Sequence, residues 1–526
     1  MSRNFWRILV AVTLLVAQAN NAWVHAHSGM FPDGFVFDDS DEGRTVPLQQ
    51  RLWEISGSSR AAAETCTNGL AGDYPCRNID LMAHIPPADM CGQSSNLNDI
   101  WGWTDLATGM EVAIVGRTNG TSFVDVTDPV APIVLGFLPS HDSGSDSWRD
   151  IKVYQDHAFI VADGSGNRNH GLQVFDLTTL VGIAPRSLLS ATAHHDGFGN
   201  AHNIAINEDS GFAYVVGSNT FSGGLYILDV SVPSAPTFAG FYSDDGYTHD
   251  VQCVNYQGPD TRYTGREVCF AFNEDTLTIV DVTDKNNPQQ LARQGYNGSQ
   301  YTHQGWLLDT NQRYLIMNDE LDEAFDENDT TTYVFDVNSL TAPFLTATYV
   351  AGTAAIDHNL YTRDGYVYQS NYRAGLRVLA TDQITSGILE ERAYFDSIPC
   401  SDTAQFSGSW SNYVYLPSGN VLVSDIATGL FVLRPDMLAI AANANDVAPI
   451  ASPVCRSSTK QQVVTQQRLP SLSLDFFMQS NECDADVGVI GGSGGSGGSS
   501  AIIFECFAML FLLGAVRHTR RSATER

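Results

Sequence analysis

Hydrophobic and polar positions repeat along most of the chain in units of about fifty residues. Each unit contains an aromatic or aliphatic run closed by an aspartate, and these aspartates are spaced 51–55 residues apart: Asp125, Asp176, Asp229, Asp281 and Asp336. A polar pair opens the unit, an alternating strand and a continuous apolar strand follow, and turn residues precede the last strand. This pattern predicts four short strands per unit, which is typical of a propeller.

The polar pairs number seven: Asn98-Asp99, Arg149-Asp150, His202-Asn203, His249-Asp250, His303-Gln304, His358-Asn359 and Trp410-Ser411. The last two units replace the closing aspartate with the runs 375–379 and 429–433 but keep the spacing. We therefore predict an all-β fold, a seven-bladed β-propeller of four-stranded blades over residues 96–435. A solenoid is the alternative, although it needs no closed ring and fits four-stranded repeats of this length less well.

The flanks of the repeat have a different composition. Residues 27–95 are rich in Gly, Ser, Pro and Asp without a sustained period, which predicts an irregular, disulfide-tied cap. Residues 436–490 predict a stalk or linker, with a short helix expected at 436–444, and residues 491–500 form a Gly/Ser spacer.

The first 26 residues have the features of a secretory signal peptide. Arg3 and Arg7 precede an apolar stretch that is too short to favour a spanning helix, and small residues follow. An uncleaved anchor is the alternative. Export places eight of the nine cysteines in an oxidising compartment, so we expect disulfides, with Cys66–Cys76 and Cys253–Cys269 as the pairs closest in sequence.

After the spacer, residues 501–516 are apolar apart from Glu505, and residues 517–526 are basic. This order predicts a membrane-anchoring segment, and its shortness and its carboxylate favour transient insertion followed by processing. It resembles the GlyGly-CTERM sorting tail of Gram-negative bacteria, which implies a rhomboid-type sorting protease as partner and a protein attached at the outer membrane or released from it. An ordinary single-pass tail anchor is the alternative.

A second resemblance covers roughly residues 60–435. The runs 123–129 and 279–284 look like LVIVD repeats. Together with Cys66, the segments 74–76 and 78–81, and the run 99–103, they resemble the choice-of-anchor B family, whose members share an LVIVD-repeat domain and carry different C-terminal anchors. The resemblance implies an exported, surface-attached propeller and does not bring a defined reaction with it.

Charge excludes one class of partner. The chain has 59 acidic and 28 basic residues, a net charge of −31, which makes binding to a nucleic-acid backbone improbable. The surface carboxylates favour solubility or an association with cations. One acidic stretch, 319–329, has the composition of a loop that holds Ca²⁺, although it lacks EF-hand spacing.

The candidate chemistry lies at the blade openings. His202, His249, His303 and His358 take the same position in four consecutive innermost strands, so they are expected to converge on the central channel. Carboxylates predicted at the ends of second strands are placed to join them: Asp163, Asp319, Glu320 and Asp425. Imidazole with carboxylate suits Zn, Cu, Mn or Fe. The other interpretation is that these histidines serve packing, each bonded to a neighbouring strand.

Two functions remain open from the sequence. The first is a binding or scaffold module that recognises a protein, peptide or glycan, because no nucleophile elbow, phosphate loop or dinucleotide motif is present and no organic cofactor is implied. The second is a metal-dependent extracellular enzyme, a hydrolase or oxidoreductase, with the metal in the histidine-lined channel. The polar neighbours of the histidines and the closing aspartates are assigned to structural hydrogen bonds.

Overall fold

The computed structural model describes residues 63–92, 95–142, 144–164, 169–308, 311–326, 328–399 and 401–442. The predicted signal peptide, spacer, hydrophobic segment and basic tail lie outside these ranges, as do most of the stalk and the first part of the cap. Within the described ranges, we find no helix long and apolar enough to cross a lipid bilayer.

The strands are named in chain order. Three strands precede the repeat: β1 (Leu70–Ala71), β2 (Tyr74–Arg77) and β3 (Ile79–Ile85). The first two blades are built from β4 (Leu97–Thr104), β5 (Glu111–Arg117), β6 (Gly120–Asp125), β7 (Ile133–Pro139), β8 (Trp148–Tyr154), β9 (His157–Asp163), β10 (Leu172–Asp176), β11 (Ser187–Leu188) and β12 (Ala193–His195). Blades three and four are built from β13 (Asn203–Asn207), β14 (Phe212–Val216), β15 (Leu225–Asp229), β16 (Thr237–Tyr242), β17 (Asp250–Asn255), β18 (Glu267–Phe272), β19 (Leu277–Asp281) and β20 (Gln289–Gln294).

Blades five to seven complete the ring. Their strands are β21 (Thr302–Leu307), β22 (Tyr314–Asp319), β23 (Thr331–Asp336), β24 (Phe344–Val350), β25 (Leu360–Arg363), β26 (Tyr366–Ser370), β27 (Leu376–Ala380), β28 (Glu390–Phe395), β29 (Ser409–Tyr413), β30 (Val421–Asp425) and β31 (Gly429–Pro435). The described part of the chain also contains two short α-helices, α1 (Asp322–Asp326) and α2 (Met437–Ala442), and α2 lies where a short helix was expected.

The described strands form seven blades, each with four antiparallel strands at its core. The innermost strands are β4, β8, β13, β17, β21, β25 and β29; each contacts the next, and β29 contacts β4, so the ring is closed. The predicted seven-bladed β-propeller is confirmed.

The hydrophobic core lies between neighbouring blades. In β14, Ala213 and Val215 pack with residues of blade two, whereas Tyr214 and Val216 pack with residues of blade four. Both faces of such a strand are therefore buried, which explains why the second strand of each unit is a continuous apolar run rather than an alternating one.

The closing aspartates end third strands and hold the turns that follow. Each accepts a hydrogen bond from the backbone N–H two residues further on, at 2.8–3.0 Å, in all five units: Asp125, Asp176, Asp229, Asp281 and Asp336. This is the Asx-turn geometry that favours Asp at a strand end, and it confirms the structural assignment of these residues.

The segment expected to be an irregular cap contains strands that belong to the blades. β3 pairs antiparallel with β31, from Ile79 opposite Pro435 to Ile85 opposite Leu430, and so forms the outer strand of blade seven. β2 extends blade six by pairing with β28, and β1 pairs with β2. The propeller therefore begins before residue 96, because the last blade takes its fourth strand from the start of the domain.

Two disulfides are present where they were expected. Cys66 is bonded to Cys76, next to the strands that extend blade six. Cys253 is bonded to Cys269, and these two residues lie directly opposite each other on β17 and β18. Both predicted pairs are confirmed.

Candidate metal centre

The four histidines predicted to converge do lie side by side. His202 and His249 directly precede β13 and β17, His303 is the second residue of β21, and His358 lies two residues before β25. The ring centroids are 4.4 Å apart for His202 and His249, 4.1 Å for His249 and His303, and 4.3 Å for His303 and His358. Equivalent positions on four successive inner strands thus form one continuous row of imidazoles.

One nitrogen of each of three rings is fixed by the protein. Nδ1 of His249 lies 2.9 Å from the carbonyl oxygen of His303, and Nδ1 of His358 lies 2.5 Å from that of Trp410. Nδ1 of His202 lies 3.2 Å from Oδ2 of Asp163. A nitrogen that faces a carbonyl oxygen must donate, so Nδ1 of His249 and of His358 carries the proton and Nε2 keeps its lone pair. These bonds fasten one blade to the next, and they also orient the rings as metal-binding histidines are usually oriented.

Glu320 lies beside two of the histidines. It follows the last residue of β22, and its Oε2 is 3.5 Å from Nε2 of His303 while its Oε1 is 3.6 Å from Nε2 of His358. These separations are long for hydrogen bonds. They are close to the ~3.4 Å between two ligands of a tetrahedral ion with bonds of about 2.1 Å. Among the described residues, His303, Glu320 and His358 are the group whose ligand atoms all lie within 4.8 Å of one another.

Burial sets the protonation of this group. It lowers the pKa of His358 to about 3 and holds the pKa of His303 and His249 well below the ordinary value, so the imidazoles are neutral at neutral pH. Burial raises the pKa of Glu320 to about 7. Neutral imidazoles with a carboxylate that is ready to lose its proton are the state that a metal ion requires of its ligands.

Tyr372 supports Glu320 and was not recognised as part of the centre from the sequence. Its hydroxyl donates to Oε1 of Glu320 at 2.7 Å. It follows β26 at nearly the position that Glu320 takes after β22. That shared position in neighbouring blades is the signal that places both residues at the channel, although only carboxylates were predicted there from the sequence.

The other predicted carboxylates have different partners. Asp163 pairs with His202 at the edge of the row. Asp425 is buried, accepts from Oγ of Ser397 at 2.8 Å and from the backbone N–H of Thr428 at 3.0 Å, and so holds the turn after β30. Asp319 accepts from the hydroxyl of Tyr296 at 2.7 Å and from the backbone N–H of Tyr301 at 2.6 Å. The carboxyl groups of Asp425 and Asp319 are thus occupied by hydrogen bonds that fix turns.

The cavity between the histidines is small. Besides the four rings it is lined by Trp148, Arg149, Asn203, Asn359 and Trp410, and it has room for about one water-sized species. His249, His303, His358 and Glu320 are each at least nine-tenths buried. The cavity therefore matches the size of a single ion and is too small for an organic substrate.

A second buried group lies on the innermost strands of blades one, two and four. Nζ of Lys152 is 2.6 Å from Oδ1 of Asp150 and 3.8 Å from Oδ2 of Asp99, and it lies 4.6 Å above the ring of Trp101. Asp99 and Asp150 also accept from backbone N–H groups of the following blade, at Ile151 and Ile204. The structural assignment of these aspartates is confirmed, and we call Asp99, Asp150, Lys152 and Asp250 the lysine cluster.

Comparison with known proteins adds one sequence family. Residues 198–244 match the LVIVD repeat. This segment contains His202 and all four strands of blade three. A search among curated proteins finds no match.

Three solved structures illustrate the likeness in fold. A protein from Lactobacillus plantarum is 13% identical over 58% of this chain and 84% of its own, with a TM-score of 0.43. The computationally designed Ika8 protein is 12% identical over 67% of this chain and 86% of its own, with a TM-score of 0.41. The β-propeller domain of Cps50 (Swd1) from Myceliophteria thermophila is 10% identical over 64% of this chain and 98% of its own, with a TM-score of 0.41. The fold assignment rests on the strand pairing described above.

Proposed function

We propose that this chain is an exported, surface-anchored binding module whose channel holds a transition-metal ion on His303, His358 and Glu320. The observation that carries the proposal is the buried group of two imidazoles and a carboxylate. Its two histidines also line a cavity with room for about one water-sized species. The channel then contributes rigidity, and recognition of a protein, peptide or glycan falls to the outer surfaces of the blades.

The ion would connect two blades. His303 and Glu320 belong to blade five, and His358 opens blade six. Two imidazole nitrogens and a carboxylate oxygen are the borderline donor set that suits Zn²⁺, with Cu, Mn and Fe as alternatives. Binding to the folded ring alone would stabilise it, as any ligand selective for the native state does.

Elemental analysis of the untagged full-length protein tests the metal. We expect close to one equivalent of a transition metal per chain, and its loss in His303→Ala and Glu320→Gln. His157→Ala is the matched control, because His157 lies on β9 and its Nδ1 faces the carbonyl oxygen of Gln155. A wild-type protein without metal after growth in zinc-supplemented medium would contradict the proposal.

Export and anchoring have a separate test. The disulfides Cys66–Cys76 and Cys253–Cys269 support an oxidising compartment, and the GlyGly-CTERM-like tail supports processing by a rhomboid-type protease. Intact-mass measurement on protein from its native host should show that residues 1–26 and the residues after the Gly/Ser spacer are missing. A mature protein with an intact C-terminus would rule out processing and favour a permanent tail anchor.

A metal-dependent exported enzyme is the second candidate. The observation that favours it is the number of protein ligands: three protein ligands, which leave a coordination position open, are the arrangement of catalytic zinc sites. Hydrolysis of small ester probes by zinc-loaded protein distinguishes the two functions. Turnover that disappears in His303→Ala, and that falls in His249→Ala while zinc is retained, would favour the enzyme.

A further inference from the structure

Three buried carboxyl groups lie beside the proposed transition-metal centre, and we call them the acidic pocket: Asp322, Glu323 and Asp357. Asp322 and Glu323 open helix α1, and their exposed fractions are 0% and 2%. Asp357 directly precedes His358 and has an exposed fraction of 0%. The pocket corresponds in part to the acidic stretch 319–329, but its side chains face inward rather than lying on a surface loop.

Several oxygens in the pocket have no protein donor. Oδ2 of Asp322 accepts from the hydroxyl of Tyr333 at 2.7 Å, and Oε1 of Glu323 accepts from the backbone N–H of Thr331 at 3.0 Å. Oδ1 of Asp322, Oε2 of Glu323 and both oxygens of Asp357 are buried without a hydrogen-bond partner in the protein. Buried polar atoms are almost always paired, so four such oxygens together need an explanation.

The surroundings do not offset this negative charge. The carboxyl group of Asp357 interacts most strongly with Glu323, then with Asp322, Asp319 and Glu320. All four are carboxyl groups, and those of Asp322 and Glu323 are near enough to share one proton. A shared proton would satisfy one facing pair of oxygens and would leave Asp357 with both of its oxygens unpaired.

We infer that the acidic pocket is a binding site for Ca²⁺, independent of the transition-metal centre. The donors are all oxygen atoms, which select a hard cation. In the described residues, the group of three ligand atoms within 4.8 Å of one another is the histidine–glutamate group. Two ligands of one Ca²⁺ ion lie at most about 5.2 Å apart, so we expect at least one carboxyl group of the acidic pocket to bind the ion through a coordinated water. Ca²⁺ accepts six to eight oxygens at about 2.3–2.6 Å in flexible geometry, whereas Mg²⁺ demands a tight octahedron.

The site has a consequence for its neighbour. Asp357 is adjacent to His358, and Asp322 is two residues from Glu320. A calcium ion in the pocket would hold both segments, and with them two ligands of the transition-metal centre. The pocket does not require that centre, because none of its three carboxyl groups belongs to it.

Calcium titration of the full-length, chelator-treated protein tests the inference. By isothermal titration calorimetry we expect close to one Ca²⁺ per chain, a midpoint of thermal unfolding that rises by a few degrees with Ca²⁺, and a smaller rise with Mg²⁺. Asp357→Asn and Glu323→Gln should each weaken Ca²⁺ binding at least about 10-fold. Without calcium, both variants should unfold at the same or a higher temperature than wild type, because each removes a repelled carboxylate.

Two controls separate this site from the others. Asp209→Asn, in the exposed turn between β13 and β14, should leave calcium affinity unchanged. His303→Ala should lose the transition metal and keep calcium, so that either proposal can fail without the other. The inference is overturned if millimolar Ca²⁺ neither binds nor shifts the unfolding of wild type, or if both pocket variants bind it as wild type does. It is also overturned if lowering the pH stabilises the protein while calcium has no effect, because protonation of the pocket would then explain its unpaired oxygens.

Discussion

The lysine cluster and the group formed by the metal centre with the acidic pocket are both buried collections of titratable side chains. They differ in composition, because the first contains a lysine whereas the second consists of histidines and carboxyl groups. In the lysine cluster, Nζ of Lys152 lies among the aspartates. Burial alone would lower the pKa of Lys152, but Asp150 and Asp99 raise it above its ordinary value. In the other group, Glu320 lies beside the neutral imidazoles of His303 and His358, and Asp357 lies among further carboxyl groups.

This difference distinguishes the structural cluster from the proposed binding site. A buried carboxylate needs a nearby cation or a proton, because an isolated ion is strongly disfavoured in the protein interior. The chain itself provides that cation on the side of the ring formed by blades one and two. At blades five and six it provides ligands with lone pairs, and we propose that the cation there comes from solution.

The largest expected effect comes from removing the built-in cation. Lys152→Met should lower the free energy of unfolding by about 3–5 kcal/mol, because it leaves the lysine cluster without its positive charge. Urea denaturation measures the loss. Arg293→Met is the control: Arg293 pairs with Asp245 and Asp275 at a half-exposed position, and its loss should change stability by less than about 1 kcal/mol. Equal effects of the two substitutions would contradict the comparison.

The second effect is a pH dependence of the lysine cluster. One lysine balances one carboxylate, and burial, with Asp150 nearby, raises the pKa of Asp250 from 3.8 to about 7. The folded state therefore keeps a proton that the unfolded chain loses near pH 4, so this contribution is complete at low pH and is lost as the pH rises to about 7. Its size is on the order of 4 kcal/mol. Asp250→Asn should remove this part of the slope when stability is measured from pH 4 to 8.

The third effect is a substitution whose effect on stability changes sign between metal-free and metal-loaded protein. Glu320→Gln should leave chelated protein as stable as wild type or about 1 kcal/mol more stable, because it removes an unbalanced buried carboxylate. With zinc, the same substitution should be destabilising and should weaken binding about 10–100-fold or more. Asp150→Asn should be destabilising under both conditions, since Asp150 pairs with Lys152 inside the protein. Thermal unfolding with and without zinc would show whether the two substitutions differ.

The smallest effect is expected outside both groups. Asp229 ends β15, and its Oδ1 accepts from the backbone N–H of Ser231 at 2.9 Å. Asp229→Ala should lower the free energy of unfolding by about 1 kcal/mol without changing metal content or the slope of stability with pH. A loss of metal in this variant would mean that the assay reports general damage to the ring and does not report ligand removal.

Most of the ring was predictable because its signals are local. The opening pairs and the closing aspartates recur at nearly constant spacing, and each aspartate satisfies a backbone N–H two residues away. β3 was missed because its partner, β31, lies about 350 residues later in the chain, and a short alternating strand without its repeat context does not indicate where it pairs.

The row of histidines was predictable for the same reason, since four equivalent positions repeat. The contacts that complete the site were not predictable from the sequence. Glu320 follows the second strand of its blade and Asp425 ends that of another, so their positions in the repeat are similar. Glu320 nevertheless lies beside the histidines, whereas Asp425 accepts hydrogen bonds from its own turn. The placement of Lys152 among three aspartates depends on side chains from three blades, so spacing along the chain does not reveal it.

The pairing of β3 with β31 also determines the order in which the protein can be completed. β3 leaves the ribosome before any blade, and its partner is the last strand of the repeat. Blades one to six contain all four of their core strands in sequence order, so each can form as soon as it has been synthesised. The seventh blade cannot form until β31 has been synthesised. Until then, β3 has exposed backbone edges that can pair with other chains. Chains truncated before residue 429 would therefore retain that edge permanently, which marks them as aggregation-prone and as substrates for proteolytic quality control.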